Sequence, residues 1–161
     1  MKQVSFATLA YEGKKKQTKK EKFLAEMNRI IPWEELIIRI APYYPRGENG
    51  RPPIGLEKML RIHFMQQWFK LSDPAMEDAL YDTEPIRRFA GIELGADPVP
   101  DETTICKFRR LLEKHHLSEK LFETVLCYLE EKGLFLREDT IVDATLNRPG
   151  FTGDSFVWVT L

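Results

Sequence analysis

The stretch Asp101–His116, DETTICKFRRLLEKHH, predicts a single amphipathic helix. Asp101 follows Pro100 and suits an N-cap, because its carboxylate can accept free N–H groups of the first turn. Ile105, Phe108, Leu111, Leu112 and His115 recur at helical spacing and form one apolar face. Thr103, Lys107, Arg110 and Lys114 fall on a second stripe, spaced four, three and four. A helix that lies against DNA needs such a form, with an apolar back on a scaffold and a row of donors and cations toward phosphates and base edges. A surface helix with a solvated charged face has the same pattern. Arg109 and Glu113, four apart, also suit an internal ion pair. Cys106 sits near the charged stripe and reads as an incidental polar-side residue without a redox role.

The bounds set by composition are those of a soluble globular protein. The chain has 161 residues, 43% hydrophobic and 30% charged, enough for one domain with a real core or one domain plus a fragment. No apolar run approaches the ~20 residues of a membrane span, and the first residues do not read as a signal peptide. Cys106 and Cys127 are not in a CxxC arrangement, which fits a reducing cytoplasm and suggests neither a disulfide framework nor a zinc site. The formal net charge is −1, so charge announces a nucleic-acid partner only through its distribution. Residues 1–22 carry seven Lys against Glu12 and Glu21, a net of +5, whereas residues 73–97 carry seven acids against Arg87 and Arg88, a net of −5.

Working outward from the opening helix, residues 1–22 show little apolar periodicity, and KKKQTKK (Lys14–Lys20) reads as a flexible basic arm. Lys14, Lys15, Lys16, Lys19 and Lys20 suit non-specific phosphate binding by counterion release, or equally a solubilising tail. Helices are expected over Lys22–Ile31 and Trp33–Ala41, with Pro32 at a helix start and Pro42 and Pro45 as stops. Tyr43–Ile54 is a Pro/Gly loop; Arg51 within it suits a reach into a minor groove, but a stiff lead-in to the next helix is the preferred reading.

The strongest helical pattern runs over Gly55–Leu71, with Leu56, Met59, Leu60, His63, Phe64, Gln67, Trp68 and Leu71 on one side. His63 reads as a core or rim histidine rather than a ligand, since no HExxH or paired-His spacing accompanies it. Asp73–Pro74 suits an N-cap and first turn for a short helix to Tyr81, and a second short helix covers Glu84–Ala90. These two helices, a connection over Gly91–Pro100 and the longer helix make a helix-turn-helix-like arrangement. Leu117–Lys132 is a further helix, with Ser118 as cap and Gly133 as stop. Leu134–Leu136 and Thr140–Val142 then give the first strand signal, followed by Asp143.

Several blocks resemble the transposases of bacterial insertion sequences, in the group named after insertion sequence five. They are KKKQTKKEKFLAEMNRIIPW (Lys14–Trp33), Arg51-Pro52-Pro53, LEKMLRIHFMQQWFKLSDPAMEDALYD (Leu56–Asp82), PDETTICKFRRLLE (Pro100–Glu113) and IVDATL (Ile141–Leu146). The resemblance implies a mainly α N-terminal region that binds the element's terminal inverted repeats, followed by an RNase H-like domain. That domain cuts and joins DNA with two Asp and one Glu, which hold two Mg²⁺ ions. Asp143 matches the first of these carboxylates and would be a metal ligand only in a complete member of the family.

After Leu146 the chain reads NRPGFTGDSFVWVTL, which does not resemble the family's continuation. One carboxylate cannot hold two Mg²⁺ ions. The expectation is therefore a truncated transposase with no cofactor of its own and no catalysis by this chain alone. Its parts would be a basic arm (1–22), a helical domain (23–132), the start of an RNase H-like domain (133–146) and an out-of-family tail (147–161). Its partner would be double-stranded inverted-repeat DNA, bound as a homo-oligomer or in mixed oligomers with full-length transposase, in the bacterial cytoplasm at the nucleoid and away from membranes. The competing expectation is an inert or protein-interaction remnant that associates with intact transposase without specific DNA binding.

Overall fold

A computed structural model describes residues 6–133 apart from Asn49. The expected strands, Asp143 and the tail lie outside the described residues. The chain divides into two compact units, with the boundary between Ile30 and Ile31. Among the described residues the structure is helical, without strands.

The first unit contains α1 (Phe6–Glu12) and α2 (Lys19–Ile30). A flexible arm is expected here to residue 22, but α2 already starts inside the lysine run. The reason is a capping box: the Glu21 backbone N–H donates to Thr18 Oγ1 at 3.2 Å, and the Thr18 N–H donates to Glu21 Oε2 at 2.9 Å. Glu21 is buried and also accepts from Tyr11 Oη at 2.5 Å and from Lys14 Nζ. The Lys14 ammonium stands 3.9 Å from the Tyr11 ring centroid. One carboxylate thus ties the end of α1, the connecting turn and the start of α2 together.

The second unit holds six α-helices: α3 (Trp33–Ile40), α4 (Leu56–Phe69), α5 (Asp73–Asp82), α6 (Glu84–Ala90), α7 (Glu102–Lys114) and α8 (Leu117–Glu131). A single 3₁₀ turn, Ala41–Tyr43, follows α3. α4 is the centre, packing on α3, α5, α6 and α7. A helix contacted by four others loses its single apolar stripe. Accordingly Met59, Leu60, Ile62, His63, Met65 and Gln66 are all buried, whereas Gln67, expected on the apolar side, is exposed.

At one end of α4, Trp33, Phe64, Trp68 and Phe89 meet edge-on or tilted, with ring centroids 5.5–5.8 Å apart. The Arg61 guanidinium lies 4.3 Å from the Trp33 centroid and 5.0 Å from that of Phe89. α6 ends in a Schellman turn at Gly91 (φ +75°), where Gly91 N–H donates to Arg88 and Ile92 N–H to Arg87.

Two expected caps fall elsewhere. Ser72, not Asp73, caps α5, accepting from Ala75 N–H at 3.3 Å, because the Asp73 carboxylate is engaged by a partner far along the chain. Ser118 does not cap α8. α7 and α8 are joined by a turn at His115–His116, so α8 opens on Leu117, which is 1% exposed. His116 takes the cap position in a left-handed conformation (φ +51°) without a side-chain bond.

Candidate nucleic-acid interface

α7 starts where Asp101 accepts the Thr104 N–H at 2.7 Å. A second acid, Glu77 of α5, accepts the Glu102 N–H at 2.8 Å, so two carboxylates satisfy free donors at the positive end of the helix dipole. The Asp101 carboxyl is held below its ordinary value by its hydrogen bonds with Thr104, and by the nearby charges of Lys107 and Arg51. The back of the helix is fixed by Ile105, Phe108 and Leu112, all buried. Leu111, expected on the same face, is half-buried at its margin.

One flank of α7 is bolted to α5 and α4. Arg109 Nη2 donates to Asp73 Oδ2 at 2.6 Å, and Gln66 Nε2 donates to Asp73 Oδ1 at 2.9 Å. Arg109 also approaches Glu113 at 3.6 Å, the pairing expected from their spacing. Burial pushes the Asp73 carboxyl up, but the hydrogen bonds from Arg109 and Gln66 and the Arg109 charge outweigh it and hold the group below the usual carboxylate range. Beside this bridge stands His63 of α4. It is buried, its Nδ1 has no hydrogen-bond partner, and its pKa is pushed down to about 4 by burial and by the Arg109 charge.

The other flank is met by the Tyr43–Ile54 loop. The Tyr43 ring lies 4.6 Å from His115, and the Tyr44 ring meets Phe108 edge-on at 6.0 Å. Tyr44 Oη donates to the Ile54 carbonyl, closing the loop on itself. Gly47 sits at φ +70°, and a Cβ there would stand 2.6 Å from Pro53 Cδ, so the loop folds back over a glycine.

Held in this way, α7 presents Thr103, Lys107, Arg110 and Lys114, all exposed. Among the described residues Lys107, Arg110 and Lys114 make no ion pair. Arg51 is exposed on the closed loop, close enough to Asp101 for its charge to act there. Arg109, in contrast, spends its guanidinium on Asp73 and Glu113. Lys14 is bound to Glu21 in the first unit, where Lys15, Lys16, Lys19 and Lys20 are exposed. Sequence reasoning passed over Arg46, exposed on the same loop as Arg51; its position between Pro45 and Gly47 was the available signal. Among the described residues no three His, Cys, Asp or Glu side chains converge to hold a metal ion.

Residues 12–111 match the protein family described as "Transposase domain (DUF772)". The chain belongs to that family. No solved structure matches it. The transposase domain covers α2 to the last turn of α7, and so includes the closed loop, the Asp73–Arg109 bridge, Thr103, Lys107 and Arg110. Lys114 and α8 fall after it. Membership assigns the chain a transposition-related function and, with it, an interaction with DNA. No helix among the described residues is long and apolar enough to cross a membrane.

Proposed function

We propose that this transposase domain binds the terminal inverted repeats of an insertion sequence of the group named after insertion sequence five. α5, α6 and α7 form a helix-turn-helix-like unit in this reading, and α7 is the recognition helix in the major groove. The observation that carries it is the contrast between the two sides of α7. Its back and flanks are fixed by Phe108, Leu112 and the Asp73–Arg109 bridge, while Lys107, Arg110 and Lys114 face solvent without internal ion pairs. A cation left unpaired on a rigid helix is available to phosphate and base edges.

The exposed lysines of the 15–20 segment add a sequence-independent contribution that weakens with salt. Asp143 enters as the first family carboxylate on the strength of the resemblance alone. The reading places the chain at the bacterial nucleoid, as a homo-oligomer or with full-length transposase. The experiment is a fluorescence-anisotropy titration of the 161-residue chain against inverted-repeat and scrambled duplexes at two salt concentrations. Selective binding is expected, weakened by about 1–3 kcal/mol for each base-reading contact removed by Lys107→Ala and Arg110→Ala. Equal binding to both duplexes would reduce the function to polycation binding. No binding would leave the protein-interaction reading in its place.

A further inference from the structure

The Tyr43–Ile54 loop is more than a lead-in to α4. It runs alongside α7: Tyr43 packs on His115 at the C-terminal end, Tyr44 on Phe108 in the middle, and Arg51 acts on Asp101 at the N-terminal end. It is closed twice, by the Tyr44 Oη–Ile54 bond and by the Pro53 ring over Gly47, and Pro45, Pro52 and Pro53 stiffen it further. A connection that only delivers the chain to a helix needs neither closure nor packing along a neighbour. What the closure accomplishes is to hold two arginines, Arg46 and Arg51, in solvent on a loop that packs along α7 through Tyr43 and Tyr44, with no ion pair among the described residues.

We propose that this loop is a minor-groove wing: when α7 occupies the major groove, Arg46 and Arg51 enter the adjacent minor groove at an A·T-rich step. The inference rests on the recognition-helix reading given above and adds a second contact element to it. The chemistry is that of a narrow A·T minor groove, whose concentrated negative potential favours inserted guanidinium groups. Pairing a major-groove helix with a basic segment in the next minor groove is an established docking geometry. Closing the loop in advance removes most of the ordering entropy that a free arm loses on binding.

The test uses the full chain, an inverted-repeat duplex and distamycin, a ligand of A·T minor grooves. Wild-type binding should weaken as distamycin is added. Arg46→Ala/Arg51→Ala should bind about tenfold more weakly without distamycin and be insensitive to it, with unchanged helical circular dichroism. Equal distamycin sensitivity in both proteins, or none in either, would overturn the proposal. So would an unchanged affinity of the double variant. Lys107→Ala/Arg110→Ala is the control that separates the two readings: it should bind weakly yet keep its distamycin sensitivity. If that variant binds like wild type, the recognition-helix reading fails, whatever the loop does.

Discussion

Acidification should loosen the platform beneath α7 before it discharges the carboxylates, because His63 holds no proton in the fold. His63 is buried on α4 between the rings of Phe64 and Phe108, at 6.4 and 6.2 Å, and faces the Arg109–Asp73 bridge. Burial and the Arg109 charge lower its pKa to about 4, with the Asp73 charge acting the other way. The unfolded chain, with an ordinary histidine pKa near 6.5, takes up a proton that the native state refuses. Stability from this group is therefore intact above pH ~6.5 and declines as the pH falls toward 4. Linkage gives a loss of about 2 kcal/mol by pH ~5 and about 3 kcal/mol by pH ~4. Asp73, held below the usual carboxylate range, stays ionised through most of this window and keeps its bridge. The assay is urea unfolding followed by far-ultraviolet circular dichroism between pH ~7.5 and ~5, comparing wild type with His63→Leu. The variant removes the titrating ring and its unpartnered Nδ1, so its stability should fall less by about 2 kcal/mol over that range. Parallel curves for the two proteins would refute the reasoning.

Asp73→Ala strips the acceptor from Gln66 and Arg109. We expect a loss of about 2 kcal/mol in chemical denaturation, most of it from the buried Gln66 donor and little from the half-exposed arginine. Thr18→Ala removes one arm of the capping box and should cost α2 about 1 kcal/mol, read as faster hydrogen exchange of its amides. Leu112→Ala empties a fully buried site and should cost about 3 kcal/mol, seen as a lowered Tm. Lys107→Ala and Arg110→Ala should each leave stability within about 0.5 kcal/mol of wild type, because both side chains are exposed and free of internal ion pairs.

The helical spacing of apolar residues located the helices of the second unit, and Asp101 declared the start of α7 through local chemistry alone. Choices that depend on distant partners were not legible. Ser72 and Asp73 are both good capping residues, and what decides between them is Arg109, thirty-six residues away. On α4 a single apolar stripe was read where four neighbouring helices bury Ile62, Met65 and Gln66 as well. The Thr18–Glu21 capping box was written in the sequence but lay inside a lysine run, whose charge drew the reading toward a free arm. At the candidate site, the stripe of α7 was visible from spacing. That Arg109 belongs to the scaffold, and that Arg46 shares a closed loop with Arg51, required the fold.

The two-sided clamping of α7 separates what holds this helix from what it displays. Its anchors are Phe108, Leu112 and Arg109; its display is Thr103, Lys107, Arg110 and Lys114, and no residue serves in both groups. Changes in the second group carry almost no penalty in the first. A chain built this way can be re-addressed: successive substitutions on four surface positions can alter what the helix meets while the molecule beneath stays the same. That freedom comes from committing one half-exposed arginine, Arg109, to the Asp73 bridge rather than to the row of its neighbours.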